Sequence, residues 1–357
     1  MPAHFRGAID ATLRAFPHTP GVVVAVHRAD LGFAVSAHGR ETACGEPSCE
    51  EAPMPADGVF EIGSVTKNLR WILLHLLAEE GRLRLDQPVN DFVPAPWLPG
   101  VTVGDLMHHT SGMIDILDAP AFVQVMQDLT RVFSRDDSIA FLTSAHGTLS
   151  SGGTFAHGRI DGFRVGGDFH YSNFGPVVAG AIAEAVTCRA VRELVKEKIL
   201  DRLQLTSTSH VFHDPRPARV VQGYSAPGEP NTRVLDYADT AAVSTLIDGL
   251  VYSTACDLVH LAHEEFADTG FLRPETRIAM TTDVLDAGGG TEAGLGVIRY
   301  GVAPDFWGHL GSGIHSHSSL LMHRPADGLS VVVLANIDAT TDNWQTHLTI
   351  LDALAEP

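Results

Sequence analysis

Apolar runs of strand length sit at the two ends of this 357-residue chain, and helical spacing fills most of the distance between them. Near the start, Gly21-Val22-Val23-Val24-Ala25-Val26-His27 is apolar and rich in β-branched residues, which predicts a buried strand. Gly32-Phe33-Ala34-Val35-Ser36-Ala37 follows closely enough to be its hairpin partner. Residues 294–298, 319–323 and 329–336 give further strands near the end. Ile9, Leu13 and Phe16 recur at helical spacing, residues 340–355 close the chain as a helix, and residues 118–132 and 176–205 carry helical patterns. Strands from both ends with helix between them predict an α+β chain. One antiparallel sheet is built from the two termini and covered by terminal helices, with a mainly helical lobe inserted. That division gives 1–80 and 241–357 to a discontinuous sheet domain and 81–240 to the helical lobe.

Composition narrows the function classes. A hydrophobic share of 45% with 19% charged residues suits a globular protein with a large core. The length suggests two lobes, at roughly 100–200 residues per domain. A formal charge of −19 argues against nucleic acid as a partner, because polyanions need Lys- and Arg-lined surface. There is no run of about 18 apolar residues to span a bilayer. The opening Met1-Pro2-Ala3-His4-Phe5-Arg6 lacks an apolar signal core, so a cytoplasmic location is expected. Four cysteines (Cys44, Cys49, Cys188 and Cys256) are too few for a disulfide scaffold and are expected to be free thiols. Cys44 and Cys49 flank Gly-Glu-Pro-Ser, and no nearby pair completes a zinc site.

Three short motifs follow one another along this frame: Ser64-Val65-Thr66-Lys67, Tyr171-Ser172-Asn173 and His309-Leu310-Gly311-Ser312. The first opens a helix, since Val65, Leu69, Ile72 and Leu76 recur every three or four residues and Gly81 suits its C-cap. At i and i+3, Ser64 and Lys67 share one helix face. In isolation such a pair reads as a capping serine and a solvated lysine. A serine hydroxyl becomes a nucleophile when a base takes its proton. A desolvated lysine has a lowered pKa that suits it to that task. Gly63 permits close chain approach, and a free N–H at the helix start favours a nearby anion.

The flanks are specific too. Phe60-Glu61-Ile62-Gly63 precedes the serine, Glu80-Gly81-Arg82-Leu83-Arg84-Leu85-Asp86 follows its helix, and His109-Thr110-Ser111-Gly112 comes further on. With S-x-x-K, a middle triplet ending in Asn and a Gly-containing third motif, the chain resembles the serine β-lactamase and penicillin-binding-protein superfamily over nearly its whole length. Class C β-lactamases, DD-carboxypeptidases and family VIII esterases are the nearest in style. The resemblance implies a β-lactamase/transpeptidase-like fold with the active site in the cleft between its lobes. It implies an acyl-enzyme on Ser64, formed from a small-molecule or peptide-like ester or amide. Ser64, Lys67 and Tyr171 would be catalytic, and Asn173, His309, Gly311 and Ser312 substrate-binding, with no organic cofactor and no metal. In such relatives the asparagine donates to the substrate carbonyl, and here the N–H groups of Ser64 and Ser312 would form the oxyanion hole. Two assignments of the base remain open. Lys67 takes the proton and Tyr171 relays it to the leaving group, or Tyr171 acts as a phenolate, which from a reference pKa of about 10 needs cationic neighbours.

The third motif departs from the family's Lys-Thr-Gly. With a reference pKa of about 6.5, His309 would be mostly neutral at pH 7. Leu310 has no hydroxyl, so recognition of a substrate carboxylate is expected to be weak. The expectation therefore moves from β-lactamase towards an esterase- or peptidase-like hydrolase with weak β-lactamase activity. The alternatives are an acyltransferase in a biosynthetic pathway and a penicillin-binding or sensor protein without turnover. Val165-Gly166-Gly167 stands where relatives carry Pro-Gly, and residues 113–170 form the expected specificity lid. The His108-to-Gly112 motif is expected to be structural. His315 and His317 share a strand face as a metal pair lacking a third ligand. Ser253 or Thr254, after Asp248-Gly249-Leu250, is expected to cap a helix.

Overall fold

The Val-rich run near the start and the last apolar run of the chain lie side by side in one sheet. The computed structural model describes residues 1–41, 52–128, 130–210, 217, 220–224, 246, 251–338 and 341–355. Cys44, Cys49 and the 248–250 turn fall outside them. The main sheet contains β1 (Gly21–Arg28), β2 (Gly32–Gly39), β9 (Leu285–Gly288), β10 (Thr291–Ala293), β11 (Ile298–Arg299), β12 (Trp307–Ser312), β13 (Ser318–Arg324) and β14 (Leu329–Ala335). Their spatial order is 2-1-14-13-12-11-10-9, with every neighbouring pair antiparallel. Val24 faces Val333, and Val333 in turn faces Leu320.

An unbroken apolar strand needs cover on both faces. Successive side chains point to opposite sides, and β1 feeds two cores accordingly. Val22, Val24 and Val26 join a cluster with Phe5 and Ile9 of α1 (Ala3–Ala15) and with Ile350, Leu351 and Leu354 of the C-terminal helix, Thr341–Ala355. Val23 and Ala25 join the larger cluster on the other face, which contains Leu69, Ile72 and Leu76 of α2 (Thr66–Glu79). Each such aliphatic side chain contributes about 1.5–3 kcal/mol by leaving water. The sheet is thereby sealed between its own termini and the helical mass.

Helix α2 runs through that mass, and every residue from Thr66 to Leu77 is buried, including Lys67, Asn68, Arg70 and His75. It packs on α6 (Gly175–Thr187), which follows α3 (Val103–Met107), α4 (Phe122–Val125) and α5 (Arg135–Ser144) and precedes α7 (Val191–Val195). Two small sheets complete the chain. One joins β3 (Phe60–Glu61), β8 (Val251–Ser253) and β7 (Ser209–His210), and the other β4 (Gly147–Thr148), β5 (Thr154–Ala156) and β6 (Arg159–Ile160). Helix α8 (Ala255–Phe266) is capped by Thr254, whose hydroxyl accepts from Asp257 N at 3.2 Å. Helix α9 (Pro274–Thr282) follows, and we number the C-terminal helix α10.

Two segments differ from their sequence reading. Residues 294–297 are a bend between β10 and β11, and only Ile298 is strand, because Gly296 adopts φ +87° where a Cβ would lie 2.5 Å from Trp71 Cβ. Only glycine accommodates that approach. Within 118–132 the helix shrinks to α4, and the apolar residues Val123 within it and Val132 beyond it are 64% and 66% exposed. Their helical spacing faces solvent, so no core stabilises a longer helix. No helix among the described residues is long and apolar enough to cross a membrane.

Candidate active site

The turn that carries the serine is held by backbone-to-backbone contact. Gly63-Ser64-Val65 forms a single 3-10 turn ahead of α2, with Gly63 at φ +50°. A Cβ on Gly63 would sit 2.4 Å from Ser312 O and 2.5 Å from Ser312 N, and one on Gly311 would sit 2.2 Å from Ile62 O and 3.1 Å from Ser64 N. Two glycines facing each other thus let the serine turn lie directly on the end of β12. The peptide groups of Ser64 and Ser312 become neighbours, the geometry that two converging donors require.

One turn further on, Lys67 is 5% exposed, and its ammonium donates to Ser64 Oγ at 2.9 Å and to Asn173 Oδ1 at 2.6 Å. Burial in the core pushes its pKa down to about 7, against a smaller opposing pull from Asp115. A charged amine loses its hydration there, so the neutral form is populated at ordinary pH. The Ser64 side chain remains half-buried and reachable.

The middle motif is pinned from behind. Ser172 Oγ donates to Ile114 O at 2.7 Å, and Ser172 N donates to His109 Nδ1 at 3.2 Å. Asn173 donates to Asp115 Oδ2 from its backbone N at 3.0 Å and from Nδ2 at 2.8 Å. The amide is thus oriented with its oxygen on Lys67 and one of its N–H bonds committed to Asp115. Tyr171 lies between Lys67, whose Nζ is 5.0 Å from its ring centroid, and His109, stacked at 4.5 Å. Its hydroxyl is turned towards Ser64 but makes no hydrogen bond of ordinary geometry, and burial drives the phenol well above its usual pKa. Tyr171 is therefore a neutral phenol in this setting.

The third motif supplies a neutral ring. His309 is 2% exposed, and its Nδ1 lies 2.5 Å from Leu310 O. A carbonyl oxygen can only accept, so Nδ1 carries the proton and Nε2 keeps a bare lone pair. That Nε2 is buried with no partner. Burial first, then the charge of Lys67, lowers the His309 pKa to about 3. The ring centroid lies 6.0 Å from that of Tyr171. Leu310 points the other way, packing against the cluster beneath α1 and α10.

All seven sequence-derived residues are therefore brought together, whereas the peripheral candidates are not. His108 binds Asp283 O at 2.8 Å. His317 donates from Nε2 to Val221 O at 3.0 Å, and His315 is tied to Glu61. No cluster fit for a metal occurs among the described residues. The 113–170 segment holds α4, α5 and the β4–β6 hairpins, and joins the Tyr171 approach where His170 Nε2 donates to Asp118 Oδ2 at 3.0 Å. Sequence reading missed Asp115, which orients Asn173, because a lone acid after Met113-Ile114 has no local pattern. It also missed that His109, at φ +57°, backs Tyr171.

Comparison with known proteins bears on the family and the fold. The family model described as Beta-lactamase matches residues 9–355. Penicillin-binding protein 4* of Bacillus subtilis (strain 168) is 23% identical over 256 residues, 69% of this chain and 53% of that protein. The esterase/beta-lactamase LipL of Mycobacterium tuberculosis is 27% identical over 175 residues, 48% of this chain and 35% of that protein. The matched part of this chain thus spans about half of the first relative and a third of the second. Among solved structures, the D-amino acid amidase from Ochrobactrum anthropi SV3 complexed with D-phenylalanine superposes with a TM-score of 0.81 at 21% identity, covering 99% of both chains. A D-stereospecific amidohydrolase from Streptomyces gives 0.75 at 23% identity, covering 99% of this chain and 98% of that one. These likenesses establish a shared fold.

Proposed function

Because the chain belongs to the beta-lactamase family, we propose that it is a serine hydrolase that acylates Ser64 with amide or ester substrates and releases the acyl group to water. The observation that carries this reading is the Lys67 amine, buried and bonded at once to Ser64 Oγ and Asn173 Oδ1. With residues 1–80 and 241–357 as one unit and 81–240 as the other, the reaction takes place where the two meet.

In this reading neutral Lys67 is the general base. It takes the Ser64 proton as Oγ attacks the carbonyl carbon, and the N–H groups of Ser64 and Ser312 bind the oxyanion. Each such donor is worth about 2.7–4 kcal/mol of transition-state stabilisation. As the tetrahedral intermediate collapses, the proton passes from Lys67, through the Tyr171 hydroxyl, to the departing nitrogen or oxygen. Water then enters and gives one proton to Lys67 as it attacks the acyl carbon, and Lys67 returns that proton to Ser64 Oγ as the carboxylic acid departs. A phenolate base is disfavoured, because burial of Tyr171 opposes its ionisation.

Substrate preference follows from two unpartnered polar atoms. The Tyr171 hydroxyl is a donor and His309 Nε2 an acceptor, and neither makes a protein hydrogen bond of ordinary geometry. Unsatisfied buried polar groups cost about 1–3 kcal/mol each, so a substrate that completes both is favoured. An amide leaving group offers an N–H to His309 and accepts the proton relayed by Tyr171, whereas an ester leaving oxygen can do only the second. A substrate carboxylate finds no cation from the third motif. We therefore assign amides, including amino-acid amides of the kind named for the solved amidase relatives, ahead of β-lactams. A panel of D- and L-phenylalanine amide, p-nitrophenyl acetate and nitrocefin tests this. Amide and ester turnover with slow nitrocefin cleavage is expected, and all three should be lost in Ser64→Ala. Wild-type rates in that variant would refute the assignment.

A further inference from the structure

Glu61 is the last residue before the Ile62-Gly63-Ser64 turn, and it is completely buried. A buried carboxylate is tolerated only when its lone pairs are taken up by donors. Here they are taken up by one short stretch of chain, the loop that leaves β12 beyond Ser312. Ile314 N donates to Oε1 at 3.0 Å and His315 N to Oε2 at 3.1 Å, and His315 Nδ1 also meets Oε2. The backbone of Glu61 repeats the connection in the opposite sense. Its N–H donates to His317 Nδ1 at 2.9 Å, which leaves His317 Nε2 to donate to Val221 O at 3.0 Å. Within the loop, Gly313 N donates to His317 O at 2.8 Å, and beside it Ser319 Oγ donates to Ile62 O at 2.8 Å.

These bonds lie beside the Gly63–Ser312 and Gly311–Ile62 contacts, so they set the separation of the serine turn and the end of β12, which bear the Ser64 and Ser312 peptide groups. We propose that Glu61 is a positioning residue of the reaction: its carboxylate clamps the 314–315 backbone and so holds the two oxyanion-binding N–H groups in register. The proposal rests on the reading of those two groups as the oxyanion hole. Glu61 touches neither substrate nor Ser64 Oγ. Among the described residues its carboxylate is bonded to the β12 loop, so it bears on charge developing at the carbonyl oxygen and not on Lys67.

Two measurements on the full chain carrying Glu61→Gln test this. The first is hydrogen exchange by mass spectrometry across residues 309–318, which reads the clamp without reference to chemistry. Exchange is expected to be slow in the wild type and faster in the variant, with the rest of the sheet unchanged. The second compares an aryl ester with its thiono analogue, in which sulfur replaces the carbonyl oxygen and fits an oxyanion hole poorly. The variant is expected to lose about 10- to 100-fold in kcat on the oxo ester, less than or at the edge of the 10²–10³-fold for outright loss of a donor. KM should change little, the oxo-to-thiono rate ratio should fall towards one, and the Lys67 limb of the pH profile should stay in place. If Glu61→Gln does not fold, His315→Ala removes a single donor to the carboxylate and should shift both readouts the same way by less. Wild-type exchange in the folded variant overturns the clamp. A rate loss that leaves the oxo-to-thiono ratio unchanged overturns its catalytic role. Turnover surviving in Ser64→Ala would instead sink the serine reading, and the exchange result would still decide the clamp.

Discussion

At the scale of single residues, the account turns on which groups are neutral. Lys67 is held near pKa 7 by burial, and its unprotonated form is the base, so kcat/KM should rise with pH through about 7 and then level. Tyr171 is pushed above its ordinary range, so it adds no second ascending limb below pH 9. A pH profile on an uncharged ester, with Lys67→Met losing about 10²–10⁴-fold in kcat, checks this. His309 is likewise neutral, at about 3, so it offers a lone pair where relatives offer a cation. His309→Lys should therefore improve acylation by carboxylate-bearing nitrocefin. A charge-assisted hydrogen bond of about 1.5–3 kcal/mol corresponds to roughly a 10- to 150-fold gain, and stopped-flow acylation rates measure it. Ser64, Lys67 and Tyr171 were legible because their spacing and flanks are local. Asp115 and the orientation of Glu61 were not, since each acts on chain more than fifty residues away.

At the scale of elements, α2 is the axis on which the site depends, and it carries a buried acid–amide contact. Asn68, next to Lys67, donates from Nδ2 to Glu265 of α8 at 3.1 and 3.4 Å. Burial raises Glu265 to about 8, well above its unfolded value of about 4.3. The folded chain therefore holds a proton that the unfolded chain gives up between those values. This contribution to stability is complete below about pH 4 and is lost as pH rises through about 8. Glu265→Gln should raise the melting temperature at pH 8, with the gain shrinking towards pH 5, as calorimetry at the two pH values would show. An equal shift at both would contradict the assignment. The strands β1, β2, β13 and β14 were readable as apolar runs of strand length, and the terminal helices by the helical spacing of their apolar residues. The 294–297 bend was misread because Gly-Leu-Gly-Val-Ile has strand composition, and the approach of Gly296 to Trp71 bends it. The β4–β6 hairpins are two or three residues per strand, too short for alternation to show.

At the scale of the whole molecule, a sheet closed by its own two ends fixes β12 against the α2 turn, and the chain carries a formal charge of −19. A field of that sign draws cationic substrates and slows anionic ones, and salt screens it. Raising ionic strength should lower kcat/KM for a protonated amino-acid amide by a few-fold and leave an uncharged ester unchanged. Equal salt sensitivity for both would remove the electrostatic contribution. That the two ends share one sheet was legible, because strands at both termini flanking a helical middle have few other ways to bury their faces. The meeting of three motifs separated by more than a hundred residues was legible only through resemblance, since spacing along a chain does not report distance across it. The most direct test of that meeting is intact-mass and peptide spectrometry of the protein quenched during turnover of p-nitrophenyl acetate. A transient acetyl group on the peptide containing Ser64, absent in Ser64→Ala, is the expected result. Full turnover with no adduct on that serine, or an adduct elsewhere, would contradict it.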